Sequence, residues 1–529
     1  MMKRHCIAIL CSLLLASANA GAAPAQKKPA AKKDDGQRTI TVLSMLHHYD
    51  MNPHTASYTS EAQMLSGLYE GLFSYDPSTL EPLNALCTSY KVSRNKKRWT
   101  FTLRNDAKFS NGEKITAKSV RDSWLKLLST KDAPYASLLD CIEGARAYRT
   151  ANGKAEDVGI IVRNDTTLVV HLDEPAEQLP RILCHHAFCV VNKKQNVYSG
   201  PFMLKSYKDE KLEMVKNPHY YGADQIRIPG ITIMQSDDLD ENAYLFNTGK
   251  IDWISEANAN AAKIINRDSV QVFAEFGTYF IFFKMQNEPW NTKEFREALL
   301  EAVPYDKLRE GITVPASTLV YPLSGYPSVT GFTDYDADDA IAIMNKAREK
   351  AGLSYDERIT ITFGISEGEF MKTLAEKLKA AWEPLGVDLV VETAPIYEYN
   401  AQIPQWNADI FSYSWIGDFA DPLAFLELFR SDSSLNVSNY NNPAFDELLV
   451  QAARADSAEE HNALLAKAEN LLLDDCMLIP VYHPVSMHFI NTSCIGGWQP
   501  NALDLHPYKY LYIKNPDPSL KNLVRFEIN

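Results

Sequence analysis

The chain has 529 residues, 46% of them apolar and 23% charged, the balance of a soluble globular protein rather than of a disordered or membrane-embedded one. That length exceeds what one hydrophobic core serves and calls for two or three domains. A formal net charge of −14 argues against nucleic acid and against anionic lipid as partners.

Residues 1–20 read as a signal peptide. Lys3, Arg4 and His5 form the positive end, residues 6–16 an apolar run, and Ala18-Asn19-Ala20 the small residues of a cleavage site. The apolar run is too short to span a bilayer, so the expected product is exported and soluble, in the periplasm. Cys11 follows Ile9-Leu10 and comes too early for a lipidation signal. Residues 21–37 are rich in Ala, Lys and Pro and read as a disordered leader, either a plain linker or a tether.

The first strand of the mature fold falls over Arg38-Thr-Ile-Thr-Val-Leu-Ser44. Ser60 and Gln63 have capping-box spacing, and Met64, Leu65, Leu68 and Leu72 give the following helix an apolar face. Residues 75–175 have the texture of short strands punctuated by turns: Trp99 to Arg104 alternates, Asn111-Gly112 turns, and Thr167 to Leu172 alternates again. Thr116 to Leu128 is an amphipathic helix within them. The block reads as a small α+β subdomain. Strands resume at 200–204, 212–215 and 226–234, and Tyr279 to Met285 is a buried strand. From there to about 480, helix and strand alternate (helices at 293–302, 337–351, 368–382 and 458–473; strands at 359–363, 387–391 and 478–483), which predicts a lobe with a largely parallel sheet. No internal repeat is evident.

Six cysteines remain after cleavage: Cys87, Cys141, Cys184, Cys189, Cys476 and Cys494, in a compartment that permits disulfides. Proximity in sequence suggests Cys184–Cys189 and Cys476–Cys494. Cys184-His185-His186-x-x-Cys189 lacks the spacing of a zinc module and reads as a local disulfide or buried thiols; no metal is expected.

One stretch organises the reading. Asp409 to Trp415 is aromatic and β-rich, a strand; Asp421-Pro422 has the form of an N-cap followed by Pro at the first helical position. Gly417 and Asp418 therefore fall where a strand ends and a helix begins, the place where α/β sheets bind ligands. Asp421 has a capping duty. Asp418 has none, so it is either a ligand group or an ordinary loop carboxylate.

The order of motifs resembles solute-binding protein family 5 of ABC importers, and within it the oligopeptide-binding proteins. The residues that carry the resemblance are Leu68-Tyr-Glu-Gly-Leu72, Trp99 to Gly112, Ile115 to Val120, Ala133-Pro-Tyr-Ala-Ser-Leu138, Asn217-Pro-His-Tyr-Tyr221, Asn439 to Asp446 and the Trp415–Pro422 loop. It spans about residues 38–514. The fold class it implies is α/β, a two-lobed periplasmic-binding-protein fold of the cluster C type with an extra α+β subdomain. Lobe I would comprise 38–75, 185–277 and 483–529, the subdomain 76–184, and lobe II 278–482. The chain would cross between lobes near 275–280 and 480–485 and close by hinge motion.

The resemblance also implies an oligopeptide ligand, an ABC-type membrane permease as partner, no cofactor, and a monomer. It maps Asp418 onto the carboxylate that pairs with the ligand's α-ammonium. Ser57, Tyr58 and Thr59 on one side and Ser414, Trp415, Ile416 and Gly417 on the other would lend main-chain hydrogen bonds, in the manner of strand addition. Tyr135 would close over the peptide. Tyr482 and His483 fall near the second crossing, and core packing serves Tyr482 equally well. Three features depart from relatives: the helix after Phe295 runs Glu297-Ala-Leu-Leu-Glu-Ala-Val-Pro304 where Ala-Ile-Asp-Arg is usual, Ile416 stands where many carry a cysteine, and Ser412 where a basic residue is common, which leaves peptide length and the grip on the far carboxylate open. A nickel chelate, haem or oligosaccharide would suit the same fold, but a carboxylate at Asp418 favours an ammonium. A secreted hydrolase would need an acid pair such as Asp418 and Asp421, yet Asp421 is accounted for as a cap and no Gly-x-Ser-x-Gly or His-Glu-x-x-His motif occurs.

The N-terminal reading has a direct check. Mass spectrometry of protein recovered from the exported fraction without detergent should find the mature chain beginning between Gly21 and Pro24; retention of Met1, or a lipid on Cys11, contradicts it.

Overall fold

A computed structural model describes residues 38–514; residues 1–37, on which the expected signal peptide and leader fall, with Cys6 and Cys11, lie outside the described residues. Three sheets organise the chain. A seven-stranded mixed sheet takes its central strand from Ile40–Ser44, flanked in parallel by Gly230–Gln235 and Trp253–Ile254. A five-stranded sheet holds Gly277–Phe283, Ile359–Ser366, Val387–Ala394, Ile410–Ile416 and Leu478–Tyr482. A four-stranded antiparallel sheet is built from Cys87–Val92, Arg98–Leu103, Ile160–Asn164 and Thr167–His171.

The five-stranded sheet has four strands running one way, as the expectation of a largely parallel sheet requires, and one, Gly277–Phe283, reversed among them. Ile359–Ser366 pairs in parallel with Val387–Ala394 and with Ile410–Ile416, but Gly277–Phe283 runs antiparallel to both its neighbours. The cause is connectivity: Gly277–Phe283 enters directly from the seven-stranded sheet, whereas Leu478–Tyr482 follows Ile410–Ile416 through the Pro443–Arg454 and Ala458–Asp474 helices and runs the same way as it. Gly277–Phe283 is buried along its whole length, as a strand covered on both faces must be.

The chain passes between these two sheets twice. Val270–Ala274 belongs to the seven-stranded sheet and Gly277–Phe283 to the five-stranded one; Leu478–Tyr482 belongs to the latter and Val485–Ile490 to the former. The crossings touch, Glu275 N–H donating to Pro484 O at 3.2 Å.

The four-stranded sheet, with the Ala117–Ser129 helix capped by Thr116, meets the chain after Asp418 through side chains. Ser434 Oγ donates to Pro134 O at 2.7 Å, Arg149 Nη2 to Asp432 O at 2.8 Å, and Arg454 grips Glu174 at 2.7 and 2.8 Å.

Local rules decide several helix ends. Asp336 caps the Ala337–Ala351 helix by accepting from the N–H groups of Asp338 and Asp339, and Gly352 ends it with φ +70°. The expected Ser60–Gln63 capping box is corrected by two positions. The helix is Thr59–Leu68, and Glu61 bends its carboxylate back to the N–H groups of Ser57, Tyr58 and Asp50 at 3.0, 3.1 and 2.7 Å. A carboxylate reaches back along the chain where the Gln63 amide, engaged with His506, does not.

The cysteine pairs are corrected too: Cys184, Cys189 and Cys476 are free thiols. Cys184 closes the turn after Leu179–Ile182 and its thiol donates to Pro180 O at 3.3 Å; a one-turn 3-10 helix, His186–Phe188, separates it from Cys189. Alkylation of denatured protein without reductant should label Cys184, Cys189 and Cys476, and a disulfide-linked peptide containing any of them in a non-reducing map would contradict this arrangement.

Candidate functional site

The Ile410–Ile416 strand is fixed before the site begins. Asp409 accepts from Thr362 N–H at 2.7 Å and from Asn287 at 2.8 Å, tying the strand's start to its parallel neighbour. Buried Lys284 donates to the carbonyls of Ile403, Pro404 and Trp406 at 3.0, 3.2 and 2.9 Å, which satisfies the loop leading in. The Tyr399 hydroxyl donates to Gly364 O at 2.8 Å and accepts Ser412 N–H at 3.0 Å. Ser412 is thereby buried and held in a neutral polar knot.

At the strand's end Trp415 is buried and its Nε1 donates to Ala424 O at 2.9 Å, folding the next turn back over the strand. Gly417 N–H donates to Phe276 O at 2.8 Å, and a Cβ at Gly417 would stand 2.6 Å from the Phe276 ring. Only glycine allows that approach. Ser414 is exposed, and Ile416 half-buried. Asp421 keeps its capping duty one position early: its Oδ1 accepts Leu423 N–H at 2.9 Å ahead of the short Leu423–Leu426 helix, where Pro422 takes the N-cap position. Its carboxylate also faces His461 Nε2 at 3.1 Å.

Asp418 is not an open loop carboxylate. Its side chain is 8% exposed, and Tyr75 donates its hydroxyl to the Asp418 main-chain oxygen at 2.7 Å. His185 Nε2 lies 3.6 Å from Oδ1. Because Ala187 N–H donates to His185 Nδ1 at 3.3 Å, the imidazole proton sits on Nε2 and points its positive end at the carboxylate. Asp418 Oδ2 is buried with no hydrogen-bond partner. Burial lifts the Asp418 pKa well above the ordinary carboxylate range, and burial followed by the neighbouring His186 drives that of His185 well down. The site thus holds an acid and no cation to answer it.

Several residues singled out in the sequence lie near Asp418 and others do not. Tyr135 is buried and packs on His185 with ring centres 4.2 Å apart, within electrostatic reach of Asp418 and Glu61. Tyr413 lies within reach of both Asp418 and Tyr58, which brings the Ser57-Tyr58-Thr59 turn to the same place. Ser57 is exposed there, and Tyr58 and Thr59 half-buried. Beside that turn His54 is buried with neither ring nitrogen partnered, and His186, which bonds Ala56 O at 3.2 Å, has an unmatched Nδ1. Tyr482 and His483 make other contacts. Tyr482 stacks on Tyr279 at 4.9 Å, and His483 Nδ1 meets Thr278 Oγ1 and Gly277 O, both at 3.0 Å, across the two crossings. The sequence reading did not single out Tyr75, His185 and Tyr413 as site residues. The His185-His186 doublet was the available signal, since two adjacent imidazoles are seldom both buried without a polar reason.

A different cluster, His488, Asp504 and His506, brings ligand-type atoms within 4.8 Å of one another. Trp253 Nε1–H donates to His488 Nδ1 at 3.0 Å, so the His488 proton lies on Nε2 and is given to Asp504 at 2.7 Å. That nitrogen has no lone pair to offer a metal, and the group reads as a hydrogen-bond network.

Residues 81–436 match the family described as bacterial extracellular solute-binding proteins, family 5 middle, and the chain belongs to that family. It is similar to the dipeptide-binding protein DppE of Bacillus subtilis, 26% identical over 92% of this chain and 93% of the relative, and to the periplasmic murein peptide-binding protein MppA of Escherichia coli, 25% identical over 96% and 99%. Among solved structures, E. coli MppA superposes with a TM-score of 0.80 at 24% identity over 90% of this chain and 98% of that one. Haemophilus influenzae OppA in complex with the peptide RPPGFSPFR gives 0.79 at 21% identity over 90% and 99%. The fold is theirs: two lobes joined by two crossings.

The buried charge has a consequence for the ligand-free protein. Because the folded-state pKa of Asp418 is raised, its ionisation destabilises the fold above that pKa, and the penalty fades as pH falls toward the unfolded value. Asp418→Asn should therefore stabilise the ligand-free protein at pH 7–8 by about 1–3 kcal/mol, with the difference shrinking at acidic pH. Thermal melts of both proteins across pH read this out; a variant less stable than wild type at pH 8 would contradict it.

Proposed function

We propose that this protein is the exported solute-binding component of an ABC importer, and that it captures short peptides by their α-ammonium at Asp418. Residues 1–20 direct export, and the ligand-closed form is what a membrane permease receives. The reading assigns no catalytic step. The observation that carries it is Asp418 Oδ2, a buried carboxylate oxygen without a partner. Such a group is costly to keep unless a ligand completes it, and the site offers no cation of its own, so the ligand must bring one. A peptide's constant features are its backbone and its termini. The Ser57–Thr59 turn and the Ser414–Gly417 strand end present the polar backbone that an extended peptide needs.

Asp418→Asn should weaken peptide binding by about 3–5 kcal/mol, the usual cost of removing one partner of a buried pair, or roughly two to three and a half decades in Kd. N-acetylating the peptide should cost wild type a similar amount and the variant little more, since both changes delete the same interaction. Asp421→Asn, which keeps a capping oxygen, should leave affinity nearly unchanged. Calorimetry on the four pairings of protein and peptide decides the assignment: equal affinity of wild type for free and acetylated peptide would falsify it.

A further inference from the structure

The two chain crossings meet at a buried acid that the peptide site does not use. Glu275 stands on the first crossing, between the Val270–Ala274 and Gly277–Phe283 strands, and is 8% exposed. Its main chain is tied to the second crossing by the bond to Pro484 O, and its carboxyl is within hydrogen-bond reach of the Ser486 hydroxyl, two residues further along that crossing. Ser486 Oγ in turn lies 2.7 Å from His488 Nε2. That nitrogen carries the imidazole proton, so the serine oxygen accepts there and its own proton is free for Glu275.

The groups that face Glu275 are acids and a phenol. Asp504 acts on it from the C-terminal segment and Glu256 from the turn after the Trp253–Ile254 strand. Tyr482, on the strand that leads into the second crossing, is also within electrostatic reach. Among the described residues, no Lys or Arg pairs with Glu275. Asp504 keeps its own charge: against the cost of burial, His488 and His506, at 2.7 and 3.0 Å, hold its carboxyl well below the usual range. An ionised Glu275 would therefore put a second buried negative charge near one already there, with no cation to answer it. Burial, then Asp504 and Glu256 against Ser486, pushes the Glu275 pKa up to about 8.

We propose that Glu275 couples the hinge to protons: the closed molecule holds this carboxyl protonated between its two crossings, and opening gives the proton up to water. The proposal rests on the solute-capture reading above and adds a control to it. The neighbours of the carboxyl come from both crossings, so the torsions that swing one lobe against the other also change its enclosure. Opening hydrates it and brings its pKa down toward the ordinary carboxylate range. Each unit of that fall favours the open form about tenfold once both forms are ionised. The gain begins as pH rises past the hydrated value and is complete above about pH 8. Acid therefore holds a captured solute in, and mild alkali lets it go. Asp418 acts with the opposite sign, because its ionised form is the one that grips an ammonium.

The test uses Glu275→Gln, which keeps the shape of the protonated acid and cannot ionise. With tri-alanine as ligand, stopped-flow release rates of wild type and variant should agree within about twofold at pH 6, which also reports that the variant is folded. At pH 9 wild type should release the peptide about tenfold faster than the variant. Taking the ratio of the two rates cancels the titration of Asp418, which both proteins share. A ratio that does not change between pH 6 and pH 9 overturns the proposal. Small-angle scattering of the ligand-free proteins reads the hinge without a peptide: the radius of gyration of wild type should rise over the same range and that of the variant should not, and equal radii at every pH overturn the proposal. Tri-alanine binding to neither protein counts against the peptide reading alone, and the scattering comparison then decides the hinge.

Discussion

A carboxylate taken out of water and given fewer partners than it can accept is a standing cost to a fold. Around Asp418 the chain maintains that cost with evident care. The strand before it is pinned by Asp409, Lys284 and Tyr399. Gly417 lets the turn press against Phe276, and the Trp415 indole holds the next turn down. His185 and Tyr75 steady the residue, one through the side chain and one through the main chain, yet neither fills Oδ2. Rigid supports around one incomplete group are what a site needs if binding is to complete it rather than reorganise it.

The same logic explains why so little of the ligand has to be specified. On the proposed reading, a grip on one ammonium and on repeated backbone groups would leave the side chains of a peptide to whatever space the lobes enclose.

Much of this was legible in the sequence, and for identifiable reasons. The Ala337–Ala351 helix carries its stop signal in Gly352, and the strand-to-helix switch at 415–422 is marked by aromatics, then Asp-Pro. Asp418 could be singled out because Asp421 had a local explanation and Asp418 did not. What failed depended on geometry that sequence order does not carry. The reversal of Gly277–Phe283 within the five-stranded sheet is not legible because it looks like any other buried strand; only its role as the entry makes it antiparallel to both neighbours. Cys184 and Cys189 are close in sequence but separated by a 3-10 turn. His185 became meaningful only when a strand more than two hundred residues away delivered Asp418 to it.

The contacts between the subdomain and the chain after Asp418 bear on timing. Among the described residues the chain passes twice between the seven- and five-stranded sheets, and on the two-lobe reading proposed above Ser434 on Pro134, Arg149 on Asp432 and Arg454 on Glu174 are contacts that opening would break. The first two are sheltered, whereas the Arg454–Glu174 pair is half open to solvent, with side chains 51% and 33% exposed. Exposed pairs weaken as salt screens them. The dwell time of a captured solute should therefore shorten with ionic strength through this pair and the Arg146–Asp432 pair, whose side chains are 45% and 36% exposed. Stopped-flow release rates in rising salt, for wild type and for Arg454→Gln, would separate the clasp from the grip; a salt dependence unchanged in the variant would place it elsewhere.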